Sequence, residues 1–296
     1  MMPTPTLTEH RSAWVVFTLP ADPWLASETA ALVQRNGLVL RLDGRETRDA
    51  ASVFRTFQDL ATREFTLGEI PGILWTPASA TASASVPPPL ILIGHPPLGL
   101  RRMYPRLAGR ARYYAAEHGW AAATIELPGS GDRPRWAAAE QARADLRRVM
   151  EAGEPVSDEI VDALILPLVE RAVPEWQAAL DALLSLPEIG GPVGFEAGGI
   201  SIGVRLAVVE PRIAVAGFFA GSFVPAAIFE EARQVTIPLR VLLQWDDEGN
   251  DRQAALDLFD AFGSKEKSLH ANLGGHTGVP QSEMEDGARF FARHLK

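Results

Sequence analysis

Three stretches of the chain hold residue types that could attack a carbonyl and manage the protons that follow. The first is Gly190-Gly191-Pro192-Val193-Gly194-Phe195-Glu196-Ala197-Gly198-Gly199-Ile200-Ser201-Ile202-Gly203. It reads as a short buried strand, a glycine-crowded turn and a helix running to Glu210-Pro211-Arg212. A sharp strand-to-helix turn holds one side chain exposed over a sheet, the way a nucleophile is presented. The second stretch, Ile237 to Glu248, is an apolar strand that ends abruptly in Asp246-Asp247-Glu248. Strand C-termini are where an open α/β sheet places its chemistry. The third is Gly274-Gly275-His276-Thr277-Gly278, just past a last strand (Lys267 to Asn272) and before a final helix (Ser282 to Leu295). Its glycines let an imidazole swing over the first turn without steric conflict, which makes His276 the expected base. His10, His118, His270 and His294 lack that setting and read as surface or packing residues. Asp246, Asp247 and Glu248 are the candidate acids, and part of that run is an ordinary solvated turn.

The first stretch admits two registers. A literal G-x-S-x-G is present as Gly199-Ile200-Ser201-Ile202-Gly203. Strand geometry instead prefers Ala197 at the tip, because Pro192-Val193-Gly194-Phe195 is the apolar run and Gly198 and Gly199 would weaken a longer strand. Glu196 would also need a partner if that strand continued into the core. Fourteen positions separate 197 from Pro211, roughly four turns at about 3.6 residues each, whereas only ten follow Ser201. Alanine has no nucleophile, so the chain reads as a serine-to-alanine inactivated form at position 197. Ser201 at the tip and a natural non-catalytic protein are the alternatives. A helix hydroxyl bonded back to the carbonyl one turn earlier is the plain reading of Ser201.

The totals narrow the classes. The chain has 296 residues, 47% hydrophobic and 22% charged, which suits one large α/β domain with decorations or two domains. A net charge of −9 without a Lys/Arg block argues against nucleic acid as a partner. There is no cysteine, hence no disulfide, thiolate metal site or Cys nucleophile. No signal-like start and no run of roughly 18 apolar residues is visible, so a soluble cytoplasmic protein is expected.

Elements that could position these residues follow in order. Leu38 to Leu42 alternates as a strand, Asp43-Gly44 is a turn signal, and a helix from about Asp49 to Ala61 carries Ala50, Val53, Phe54, Phe57 and Leu60 along one face. This unit faintly resembles the opening of barstar-like proteins. Residues 1–62 are expected to form an N-terminal subdomain on a main domain of 63–296, as a dimer contact or a wall of the pocket. A hairpin over Gly68 to Pro77, a low-complexity loop over Ala78 to Ser85, a buried strand from Pro89 to His95, a helix from about Tyr104 to Glu117 and a strand from Ala121 to Leu127 come next. Residues 133 to about 173 interrupt the alternation and fit a small helical lid, with an apolar helix broken at Pro167. Trp176 to Leu186 is a separate helix, and Ile213 to Phe219 a further strand, with Gly221-Ser222-Phe223 as its exit loop. Strands alternating with helices predict an α/β fold with a mostly parallel sheet.

Gly94-His95-Pro96-Pro97-Leu98-Gly99, Glu126-Leu127-Pro128-Gly129-Ser130-Gly131-Asp132, the strand-turn-helix at 197, the acidic strand end and His276 together resemble the α/β-hydrolases over about residues 66 to 296. Within that superfamily the chain is similar to bacterial dienelactone-hydrolase-like serine esterases. The resemblance implies hydrolysis of a carboxylic ester or lactone through an acyl-enzyme, with no cofactor and no metal. It implies position 197 as nucleophile, Asp247 as the acid and His276 as the base. It places the oxyanion donors at Gly198 and, because Pro96 and Pro97 have no N–H, at Leu98 or Gly99. His95 is expected to brace its loop and Ser130 to be structural. A hydrophobic small-molecule substrate is the expected partner, and a homodimer is allowed.

Overall fold

The structure, a computed structural model, describes residues 6–8, 30–34, 37–42, 45–46, 60–80, 86–221 and 223–296. A strand that is apolar throughout must be covered on both faces. β7 (Leu90–Ile93) and β8 (Ala121–Ile125) are such strands, buried at every residue. They run parallel with β9 (Val193–Ala197), β10 (Ile213–Phe219), β11 (Leu239–Gln244) and β12 (Lys267–Asn272), in the order β8-β7-β9-β10-β11-β12. Beyond β8 the sheet turns antiparallel through the hairpin of β6 (Ile70–Pro77) and β5 (Leu60–Leu67), which turns at Gly68 with φ 61°. β1 (Thr6–Thr8) pairs with β5 at that edge.

Helices cover both faces. On one side α1 (Leu100–Tyr113), a π-helical turn (Tyr114–His118) and α7 (Ser282–Ala292) pack Leu107, Tyr114 and Phe291 against Ile91, Ile93 and Val215. On the other, α3 (Asp158–Leu184), α4 (Ile200–Val209), α5 (Ala226–Ala232) and α6 (Arg252–Ala261) cover Leu92, Phe195 and Phe218. This is the α/β-hydrolase architecture expected from the sequence.

The stretch expected as a lid, residues 133–173, holds α2 (Ala137–Ala152) and the first part of α3. α3 does not break at Pro167, contrary to expectation, nor does a separate helix start at Trp176: it is one helix of 27 residues with Pro167 and Pro174 inside. Each proline costs a hydrogen bond, but Val169, Ala172, Val173, Trp176, Ala179 and Leu180 are all buried against the sheet, and that apolar face holds the helix together. α2 packs along α3 and supplies the second apolar layer that its sequence demands.

In the N-terminal part, the expected strand is β3 (Gly37–Leu42), paired antiparallel with β2 (Ala30–Gln34) and β4 (Arg45–Glu46) in a small sheet of its own. The helix expected over 49–61 lies outside the described residues up to 59, and Leu60 and Ala61 belong to β5 instead. Most of the low-complexity loop, 81–85, lies outside them as well.

Candidate active site

The acid and the base are brought together by the way β11 and β12 leave the sheet. Leu239, Val241 and Leu243 bury one side of β11, and the ladder to β12 continues past both strands: Trp245 N–H donates to Asn272 O (2.7 Å) and Asp246 N–H to Gly274 O (3.2 Å). The two exit loops therefore stay side by side. His276 Nδ1 lies 2.7 Å from Asp247 Oδ2. A carboxylate accepts, so Nδ1 carries a proton, and in the neutral ring Nε2 holds the lone pair. The other oxygen, Asp247 Oδ1, accepts from Gly249 N–H at 3.1 Å. The Asp247 side chain is 3% exposed and that of His276 66%, so the carboxylate is fixed while the imidazole faces outward. Phe219, the last residue of β10, meets the imidazole edge-on at 5.2 Å between centroids. Of the three candidate acids, Asp246 turns back to accept from Gly274 N–H (3.2 Å) and Glu248 is exposed.

β9 ends at Ala197, level with Phe218 of β10, and Gly198-Gly199 make the turn into α4. Ser201 is not at that turn. It is the second residue of α4 and 6% exposed, so the literal Gly199–Gly203 motif lies within the helix. The strand proper stops at Ala197, Gly199 is still extended as the residue before α4, and the helix begins at Ile200.

The N–H groups expected to bind an oxyanion are engaged in this structure. Gly198 N–H donates to Gly94 O (3.1 Å) and Leu98 N–H to Pro96 O (2.7 Å). For Gly198 the cause is the β7–β9 ladder, which runs on beyond the strands: Gly94 N–H donates to Glu196 O (2.7 Å), and Gly198 then takes the next rung. In this conformation neither N–H points at open space. His95 braces the same loop, with ring nitrogens 2.8 Å from Pro96 O and 3.0 Å from Ile125 O, and is 2% exposed. Ser130 bonds to the buried Glu126 carboxylate, whose other oxygen accepts from Leu100 N–H at the start of α1 (2.8 Å).

Glu196 was absent from the candidate residues, and the structure gives it partners on the α1 side of the sheet. Tyr114 O–H donates to its Oε2 at 2.6 Å, and Arg110 Nη1 lies 3.4 Å from Oε1. Burial, then the neighbouring carboxylate, push the Tyr114 hydroxyl well above the usual tyrosine range, and Glu196 raises Arg110 further. Two glycines flank Glu196 for steric reasons. A Cβ on Gly194 would meet Phe291 at 3.0 Å, and one on Gly198 would sit 2.8 Å from His95 Cα. Gly199 has no such neighbour, its nearest being Ile202 at 3.8 Å. The signal was present as Gly194-Phe195-Glu196-Ala197-Gly198, a G-x-E-x-G with an acid at its centre.

Two other clusters border this edge or lie apart from it. A cavity of about 180 Å³ beside the exit of β8 is lined by Trp136, Arg133, Arg171 and Glu175 among others. Arg133 is bidentate to Glu175 (2.6 and 2.7 Å), and Arg171 lies over the Trp136 ring at 4.8 Å. His270, Glu283 and Asp286 bring potential ligand atoms within 4.8 Å of one another. Both carboxylates already face arginines, Arg240 and Arg289, which oppose a cation there.

Comparison with models of protein families, and with curated proteins, finds no match. Solved structures do match. A cold-adapted esterase from an Arctic intertidal metagenomic library is 28% identical with a TM-score of 0.56, over 80% of this chain and 95% of that one. An acetyl xylan esterase from Paenibacillus sp. R4 is 15% identical at a TM-score of 0.55, over 80% and 85% of the two chains. An esterase from Pyrococcus furiosus, 9% identical at 0.55, covers 80% and 93%. No helix among the described residues is long and apolar enough to cross a membrane. The chain has the α/β-hydrolase fold, and the resemblance carried by its motifs extends to the solved structures of esterases.

Proposed function

We propose that this protein is a carboxylic ester hydrolase built on the Asp247–His276 pair. The observation that carries this reading is the 2.7 Å contact between His276 Nδ1 and a buried carboxylate, at the sheet edge where β9 ends. A serine hydroxyl at position 197 would attack the ester carbonyl while His276 Nε2 takes its proton. The alcohol then leaves with that proton, and water activated by the same nitrogen releases the acid from the acyl-enzyme. The oxyanion would take Gly198 N–H away from Gly94 O, so the turn must open by one rung in the reaction. In the present chain Ala197 stands at that seat, as in a serine-to-alanine form.

One observation favours a second register: the glycines that packing demands are 194 and 198, which centre on Glu196. In that reading the elbow's middle position holds a carboxylate, drawn aside by Tyr114 and Arg110.

Hydrolysis of p-nitrophenyl acetate by the parent, Ala197→Ser and Glu196→Ser tests both. Activity that appears in Ala197→Ser and labels with a fluorophosphonate supports the proposal. Activity in Glu196→Ser alone moves the nucleophile seat to 196. An unmodified chain as active as either variant, or silence from all three, rejects an acyl-enzyme at this turn.

A further inference from the structure

Gln244 closes β11, one residue before the exit loop that carries the acid, and it is 1% exposed. Its Nε2 donates to the carbonyl of Gly275 at 3.0 Å. That carbonyl belongs to the peptide group leading into His276, and it also accepts Gly278 N–H at 2.9 Å, closing the histidine turn. Two of the turn's glycines lie against the same amide: a Cβ on Gly274 or Gly278 would stand 3.6 Å from Nε2. The other end of the side chain, Oε1, is buried with no hydrogen-bond partner among the described residues. A buried amide with one end unsatisfied is a poor choice for packing alone, since an apolar side chain of similar volume would leave no polar atom stranded. The one interaction that distinguishes Gln244 from leucine here is its grip on the histidine turn.

We infer that Gln244 is a positioning residue: it fixes the Gly275 peptide and through it the ring of His276 against Asp247. The imidazole is exposed on its outer side and touches only Phe219 and Asp247 among the contacts described above, so its orientation depends on the backbone beneath it. The inference rests on His276 acting as the base, and its test reads the ring in the chain as it stands.

Imidazole ¹⁵N shifts report which nitrogen carries the proton and need no nucleophile. In the parent protein His276 should show the Nδ1–H form. Gln244→Leu keeps the volume and removes the donor. Gln244→Glu keeps the shape and sets an acceptor against the Gly275 carbonyl. Both should shift His276 toward a mixture of tautomers while His95 and His118 keep their signals. In an Ala197→Ser background both should lower kcat tenfold or more with KM within twofold, and Gln244→Asn should fall between them and the parent. Tautomer-shifted but inactive throughout would retain the positioning role and sink the hydrolase reading. Variants that fold and keep the parent His276 spectrum would overturn the positioning role. Should Gln244→Leu not fold, Gln244→Glu and Gln244→Asn decide the question by the same spectrum.

Discussion

Two parts of the same sheet edge are in opposite states. Where β11 and β12 leave the sheet, Asp247 and His276 already hold each other, with a lone pair left on Nε2. Where β7 and β9 leave it, the N–H groups of Gly198 and Leu98, proposed above to meet a developing charge, are bonded to Gly94 and Pro96. The acid–base half is prepared, and the electrophilic half is closed on itself. Proton handling depends on side chains, which loops can present freely. Oxyanion binding depends on backbone N–H groups; here a parallel ladder that runs one residue past each strand engages that of Gly198, and a tight turn within the loop engages that of Leu98.

Five substitutions would break or sharpen this contrast. The largest effect is expected at the prepared half: Asp247→Asn in an Ala197→Ser background should lower kcat by about 10⁴-fold, through loss of the Nδ1–H tautomer. Steady-state kinetics and the ¹⁵N spectrum of His276 check it together. Next comes the closed half, where Gly198→Ala forces a Cβ to within 2.8 Å of His95 Cα and should destabilise by about 1–3 kcal/mol in a urea titration. Gly199→Ala, with only ordinary contacts, should cost far less. Tyr114→Phe removes the hydroxyl from Glu196 and should cost about 1–2 kcal/mol, read in the same titration. The smallest effect concerns acid. The Glu210 carboxyl is held below its ordinary range, first by the hydrogen bond from Arg212, at the end of the helix that follows the β9 turn. A depressed carboxyl contributes stability above its unfolded pKa and loses it as pH falls through the folded one. Glu210→Gln should therefore lower stability at neutral pH and flatten its decline below about pH 4.5, measured by thermal melts across pH.

Much of this was legible in the chain. Ile213–Phe219 falls where its apolar run puts it, Lys267–Asn272 falls just before the glycine-rich histidine turn, and β9 stops at 197, before Gly198 and Gly199. The glycine-rich turn alone marks His276 as a candidate, and the structure sets its ring against Asp247. Local context left three acids open and the family resemblance pointed to Asp247; the rungs from Trp245 and Asp246 that keep the two exit loops side by side are not visible in the chain. Glu196 was missed because its partner Tyr114 lies 82 residues away, so a lone acid in a central strand looked like a defect. The continuity of α3 was hidden too: local rules break a helix at proline, and only the buried face from Val169 to Leu183 overrides them.

That long helix has a mechanical corollary. At about 1.5 Å per residue it is a strut of roughly 40 Å, fixed in its second half where Trp176 meets Phe195 edge-on, two positions before the end of β9. Pro167 and Pro174 each delete a rung of its own ladder, yet Leu168, Val169, Ala172 and Val173 are buried around them. Tertiary packing therefore splints the weakened stretch, and one continuous beam ties the α2 layer to the central strand.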